Sequence, residues 1–164
     1  MNGKAMIRKA QPEQAEEIRE VVVSTISEIY PKYYTQEVVD FFIEYHSPER
    51  IREDISAGKV YIAVADGGIA GTGTINGDNI ERVYVPPKYQ GTGIGSSIMD
   101  FLESVIMKEH EAAVVESSLP AGEFYRKRGY VQVKHMDYPV ANGKILTYEI
   151  MRKERTEYAS VKEN

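Results

Sequence analysis

A chain of 164 residues with 42% hydrophobic and 27% charged residues has the size and balance of one globular domain with room for a real core. Its formal net charge of −5 argues against a protein that grips nucleic-acid phosphates, which needs clustered basic residues, and suits a cationic partner instead. No run of eighteen apolar residues occurs, the opening MNGKAMIRKA lacks an apolar signal core, and cysteine is absent; the expectation is a cytoplasmic protein with no membrane contact and no acyl-cysteine intermediate.

Met6 to Ala10 reads as a strand. Gln11-Pro12-Glu13 opens a helix, with Glu13, Glu16 and Glu17 near its positive end and Ile18, Val22, Ile26 and Ile29 recurring at helical spacing. Tyr30-Pro31-Lys32-Tyr33-Tyr34 interrupts it. Thr35 to His46 gives a second helix with Val38, Val39, Phe42 and Ile43 apolar, and a third, short one follows Ser47-Pro48. Lys59 to Ala65 and Ile69 to Ile75 pair as a hairpin around Asp66-Gly67-Gly68. Ile80, Val83, Tyr84 and Val85 mark the next strand, which Pro86-Pro87 ends because proline cannot donate to a ladder. After a glycine-rich turn comes a helix with Ile94, Ile98, Phe101, Leu102, Val105 and Ile106 as its buried stripe. Val114-Val115-Glu116 reads as a strand, Ser117 to Gly122 as a break, and Glu123 to Tyr130 as a short helix closed by Gly129. Tyr130 to Val140 and Lys144 to Arg152 make two last strands joined at Asn142-Gly143, with residues 1–153 as one domain and 154–164 as a polar tail. This is an α+β pattern with a mixed central sheet. His46, His110 and His135 lack metal-ligand spacing, so each is expected to be a surface or packing residue, and no metal is expected.

The turn Gln90-Gly91-Thr92-Gly93-Ile94-Gly95 carries the chemistry. Glycines at alternate positions remove the β-carbons that would hold a ligand off the main chain, and a helix start follows whose free N–H groups favour an anion. A nucleotide-triphosphate loop would need lysine after the last glycine, where Ser96-Ser97 stand. A dinucleotide fingerprint would need glycine at Ser96 and a ribose-binding acid, for which Glu116 is a poor candidate. A plain structural bend is the remaining alternative.

Gln90, Gly93 and Gly95 fit the pattern Q/R-x-x-G-x-G/A, and with it the chain resembles the GNAT superfamily of N-acetyltransferases. Ala121, Phe124, Tyr125, Lys127 and Gly129 are similar to that family's second motif, N-x-x-A-x-x-F-Y-x-K-x-G-F, with Tyr130 for phenylalanine and Ser118 where asparagine is common. The resemblance runs over residues 5–152. It implies a sheet of about seven strands splayed at the cofactor site, and acetyl-CoA as donor: Gln90, Gly91, Thr92, Gly93, Ile94, Gly95 and Ser96 on the pyrophosphate, Val83, Tyr84 and Val85 along the pantetheine arm, Ser118 beside it. Lys127 or Arg126 would meet the 3′-phosphate, unless they form only a solvated basic face.

The resemblance also implies that Tyr125 faces the departing sulfur. With reference pKa values near 10 for tyrosine and 8.5 for a thiol, complete proton transfer is uphill by about 2 kcal/mol, so hydrogen bonding or concerted transfer is expected. Simple packing beneath the cofactor is the alternative. A lysine-like amine at pH 7 costs roughly 4.6 kcal/mol to neutralise, so a base is expected. Glu81 shares a strand face with Val83 and Val85 by alternation and is the candidate base, against a salt bridge to Arg82 or a neighbouring strand. Tyr30, Tyr33 and Glu44 are the candidates for the acceptor pocket. The expected function is acetyl transfer from acetyl-CoA to a primary amine, small molecule or peptide, in a ternary complex. A non-catalytic acyl-CoA sensor and a partner-binding domain are the alternatives, and exposed C-terminal strands suit a homodimer.

Overall fold

Apolar runs bounded by turn residues form the strands, and 3.6-residue apolar spacing forms the helices, across the residues 5–156 that the computed structural model describes. The order is β1 (Met6–Lys9), α1 (Ala15–Ile29), α2 (Gln36–Tyr45), α3 (Pro48–Ser56), β2 (Val60–Ala65), β3 (Gly68–Asn76), β4 (Asn79–Tyr84), α4 (Ile94–Ile106), β5 (Ala112–Ser117), α5 (Gly122–Lys127), β6 (Val131–Pro139) and β7 (Ile145–Glu154). The strands make one mixed seven-stranded sheet in the order β1-β2-β3-β4-β5-β7-β6. Only β4 and β5 run parallel, since α4 crosses between them; every other pair is antiparallel. The expected α+β architecture with a mixed sheet is therefore the observed one. β7 extends one residue into the stretch expected to be tail, and Arg155 N–H still donates to the Glu111 carbonyl at 2.7 Å. Residues 157–164 of that tail, and 1–4, lie outside the described residues.

The α1 entry follows its sequence: Pro12 starts a single 3-10 turn, the Gln11 N–H donates to Gln14 Oε1 at 2.8 Å, and Glu16 and Glu17 sit in the first turn. Ile18, Val22 and Ile26 on its inner face are fully buried against one side of the sheet with Val39, Ile51 and Ile62. Each such side chain contributes about 1.5–3 kcal/mol as an upper estimate, so Ile18→Ala would cost about 2–5 kcal/mol. Ser47 caps α3 by accepting from the Arg50 N–H at 3.2 Å, with Pro48 in the first turn.

A second core lies on the other face, where α4 packs Ile98, Met99 and Leu102 against Ile80, Val115 and Met151. Phe101 and Val105, expected in the buried stripe, are only partly covered, while Met99 and Glu103 are buried. Glu103 tolerates burial because it accepts from Arg128 Nη2 at 2.9 Å, Tyr130 Oη at 2.8 Å and Lys153 Nζ at 3.0 Å. Arg128 Nη2 also reaches Asp100 at 2.7 Å. This knot ties the end of α5 to α4 and β7.

Candidate active site

Parallel pairing between β4 and β5 covers only Asn79↔Val114 and Ile80↔Val115. Beyond Ile80, β4 stays with β3 as far as Tyr84↔Thr72, and β5 stays with β7 as far as Ser117↔Glu149. The two strands part into a wedge, leaving the inner edge of β4 from Glu81 onward without a strand partner.

A bulge sits at the same place. Thr74 pairs with Glu81 and Thr72 with Tyr84, so Arg82 and Val83 together oppose Gly73, and Arg82 adopts φ 51°. That left-handed conformation costs a non-glycine residue about 1–2 kcal/mol, and the Arg82 side chain holds it in place. Its Nε donates to His46 Nδ1 at 3.1 Å and its Nη1 to Asp54 Oδ2 at 3.0 Å and Thr74 Oγ1 at 3.4 Å.

The bulge corrects one expectation. Val83 and Val85 face α4, since β-carbons built on Gly73 and Gly71 would lie 3.6 Å from Val83 Cγ2 and 3.3 Å from Val85 Cγ2. Glu81 lies across from Thr74, which bonds Arg82 on the opposite face. Glu81 therefore does not share a face with Val83 and Val85; the extra residue turns it toward α2 and α3.

On the α4 side, Gly91 (φ 76°) and Gly93 (φ 89°) make the turn in conformations that side chains resist. The helical ladder of α4 begins with Ser97 N–H to the Gly93 carbonyl at 3.0 Å, and no side chain caps Gly93. By helix geometry the amides of Ile94, Gly95 and Ser96 are left to a ligand or to solvent. Gln90 Nε2 donates to the Val85 carbonyl at 2.9 Å and Thr92 Oγ1 to the Tyr89 carbonyl, bracing the loop on the end of β4. The Ile94 side chain is buried in the core, so only its amide faces the turn. Gly95 has helical geometry; a β-carbon there would stand 3.5 Å from the Phe124 ring, at the seam with α5. Ser96 and Lys127 are exposed.

The other side of the wedge is a cleft of about 1010 Å³ between α2, α3, β4 and the ends of β5 to β7. Tyr30, Tyr84, Tyr125 and Ser118 all line it. Burial pushes the Tyr125 phenol up, the neighbouring Tyr30 adds to this and Arg128 opposes it. Its ring meets Phe124 at 5.4 Å and Tyr130 at 5.5 Å between centroids. Burial likewise raises Tyr30, against the neighbouring hydroxyls of Ser118 and Tyr84.

Five carboxylates line this cleft, Glu49, Glu53, Asp54, Glu81 and Glu116, against the guanidiniums of Arg50 and Arg82, and Arg82 already pairs with Asp54. Burial raises the Glu116 carboxyl, and the charge of Glu81 raises it further. Tyr33 is 51% exposed and Glu44 points to solvent, so neither of these expected acceptor residues lines the cleft. Helical spacing turns Glu44 away and brings Phe41 and Tyr45 to the wall instead, their rings stacked at 5.9 Å.

Sequence reasoning missed Glu116, Arg82 and His46. Two adjacent charges, Glu81-Arg82, inside an apolar strand were a signal for the bulge. His46, expected at the surface or in packing, is buried at the cleft wall: Nδ1 accepts from Arg82, and Nε2 lies 3.2 Å from Tyr84 Oη. Burial, then Arg82 and Arg50, push it down to about 3, so it stays neutral. His135 differs, being exposed and held between Glu149 at 2.8 Å and Asp137 at 2.9 Å. Among the described residues no cluster of His, Cys, Asp or Glu could hold a metal ion, and no helix is long and apolar enough to cross a membrane.

A family model for the acetyltransferase (GNAT) domain matches residues 29–151. Among solved structures, the chain is similar to a GCN5-related N-acetyltransferase of Rhodopseudomonas palustris, at 25% identity over 94% of this chain and 98% of that one, with a TM-score of 0.86. The PaiA N-acetyltransferase of Thermoplasma acidophilum, solved in complex with coenzyme A, is 23% identical over 93% of this chain and 100% of its own, with a TM-score of 0.72. YncA of Salmonella typhimurium, solved with its cofactor acetyl-CoA, is 17% identical over 93% and 94%, with a TM-score of 0.65. No curated protein matches the chain.

Proposed function

The chain belongs to the GNAT acetyltransferase family, and from that premise we propose that it moves an acetyl group from acetyl-CoA to a primary amine by direct attack in a ternary complex. What carries this is the wedge between β4 and β5, which joins an amide-lined turn on one side to an acidic, tyrosine-lined cleft on the other. The two fold relatives solved with coenzyme A and acetyl-CoA support the choice of donor.

In this proposal the amides from Gly91 to Ser96 hold the pyrophosphate, with Gln90 keeping the turn in place through Val85. The inner edge of β4 at Val83, Tyr84 and Val85 pairs with the pantetheine arm, and one of its N–H groups polarises the acetyl carbonyl. Loss of such a donor typically costs about 100-fold in rate. Ser118 borders the arm, and Lys127 on the exposed face of α5 attracts the 3′-phosphate.

The amine enters as an ammonium, which the excess of carboxylates in the cleft favours, and must lose a proton before it attacks. Glu81 takes that proton directly or through water, with Glu116 beside it as a second carboxylate. The amine nitrogen then bonds to the carbonyl carbon, the carbon–sulfur bond breaks, Tyr125 shares its proton with the departing sulfur, and the second proton lost by the nitrogen restores Tyr125 through water in the cleft. Because burial raises Tyr125, full transfer is uphill by more than the reference difference of about 2 kcal/mol, so a shared or concerted proton is the favoured form.

A panel of amines assayed for free CoA across pH, alongside acetyl-CoA titration by calorimetry, tests this. Saturable binding with CoA release for at least one amine supports it; binding without turnover for every amine would point to a sensor instead. A homodimer is part of the proposal too, suggested by the edge strand β6, where Val131 and Val133 are 63% and 56% exposed. So is a cytoplasmic location.

A further inference from the structure

We propose that Arg82, acting through His46, sets the Tyr30–Tyr84 phenol pair as a hydrogen-bond donor toward the transfer site. Arginine can only donate, and its Nε–H points at His46 Nδ1 at 3.1 Å. Nδ1 must then offer its lone pair, and the one N–H of the neutral ring sits on Nε2, facing Tyr84 Oη at 3.2 Å. Tyr84 accepts that proton and gives none back.

Tyr30 and Tyr84 hold two hydroxyl protons, and their oxygens, 3.3 Å apart, share one of them whichever way the bond runs. Since His46 takes neither, one proton is left for the cleft beside Tyr125; the Ser118 hydroxyl bonded to Tyr30 brings a proton of its own, so the count is unchanged. Were the ring in the opposite tautomer, Nε2 would capture the Tyr84 proton and the mutual bond the other. The pair would then show only lone pairs to the site.

The surroundings of His46 oppose that reversal. Arg82 and Tyr84 come from β4, Tyr45 packs edge-on from α2 at 5.2 Å, and Arg50 of α3 adds positive charge. Arg19 of α1 donates to the His46 carbonyl at 3.3 Å, and Asp54 of α3 is taken up by Arg82. Both ring nitrogens thus bond to Arg82 and Tyr84, not to a carboxylate that could hold a second proton.

For catalysis the consequence rests on the acetyl-transfer proposal above. A preset donor here stabilises negative charge on the thioester as its bond to sulfur breaks, and Arg82 and His46 are positioning residues for it. The polarity of the chain does not depend on that proposal.

The test is ¹⁵N NMR of the histidine ring nitrogens in the whole protein, with the His46 signals identified by their loss in His46→Asn. The expected result is a neutral ring with its proton on Nε2 throughout pH 5 to 8. Arg82→Met should admit the Nδ1–H form and lower kcat about 10-fold, the worth of one neutral hydrogen bond. Adding Tyr84→Phe to that variant should restore most of the loss, because Tyr30 then keeps its own proton for the site; a purely structural defect would instead deepen. A wild-type proton on Nδ1, titration of His46 between pH 5 and 8, or a double variant showing the product of the two single losses would overturn the proposal. The expected tautomer with no amine acetylated would sink the acetyl-transfer proposal and leave the chain's polarity standing.

Discussion

The turn before α4 and the cleft under α2 and α3 are built from different materials. The turn offers main-chain amides from one short segment, Gly91 to Ser96, arranged by two left-handed glycines and a helix start. The cleft is made of side chains from α2, α3, β4, β5 and the last two strands, many residues apart. A backbone site is specified by the few residues that shape it, whereas a side-chain site is specified by packing across the whole domain. In the proposed reaction such a division would let one donor site persist while the acceptor pocket varies.

Substitutions can break that contrast from either side. Gly93→Val should do most, because a β-branched residue resists φ 89° and its strain of about 1–3 kcal/mol falls on the turn itself. Acetyl-CoA affinity by calorimetry should fall about 100-fold, with the melting temperature dropping by roughly 2–4 °C for each kcal/mol of that strain. Tyr125→Phe tests the junction: kcat should drop about 30-fold with the Kd for CoA nearly unchanged, since the ring still packs on Phe124 and Tyr130.

A pH effect belongs to the cleft alone. His46 titrates at about 3 in the fold against 6.5 in the unfolded chain, so below pH 6.5 protons bind the unfolded state and not the native one. Stability supplied by the neutral ring is full above that pH and is lost as pH falls toward 3. Between pH 7 and 5, wild type should lose about 2 kcal/mol of unfolding free energy that His46→Asn does not lose, measured by urea denaturation at both pH values. The smallest effect is expected outside both regions: Tyr33→Ala and Glu44→Gln should each leave kcat/KM for the amine within about twofold.

Much of this fold was legible because its signals are local. Asn142-Gly143 turned the last hairpin, with positive φ at both residues, and Pro86-Pro87 ended β4 where proline must. The glycine turn was legible for the same reason. The orientation of Glu81 was not, since alternation holds only in an unbroken ladder and the bulge at Arg82 is secured by His46, Asp54 and Thr74, three partners from elsewhere in the chain. Glu103 escaped likewise, because a carboxylate in an apolar stripe becomes stable only when Arg128, Tyr130 and Lys153 arrive from later elements. Tyr33 and Tyr34 look alike in sequence, yet only Tyr34 turns inward, accepting from the Leu119 N–H at 2.7 Å.

The knot around Glu103 joins α4 to the residue just past α5, and so fixes the interval between the amides at the start of one helix and the phenol of Tyr125 on the other. That interval belongs to the fold before any ligand arrives. In the proposed reaction that interval acts as a calliper, its jaws already set to one span. There, a thioester too short to reach both jaws would be held at one end only.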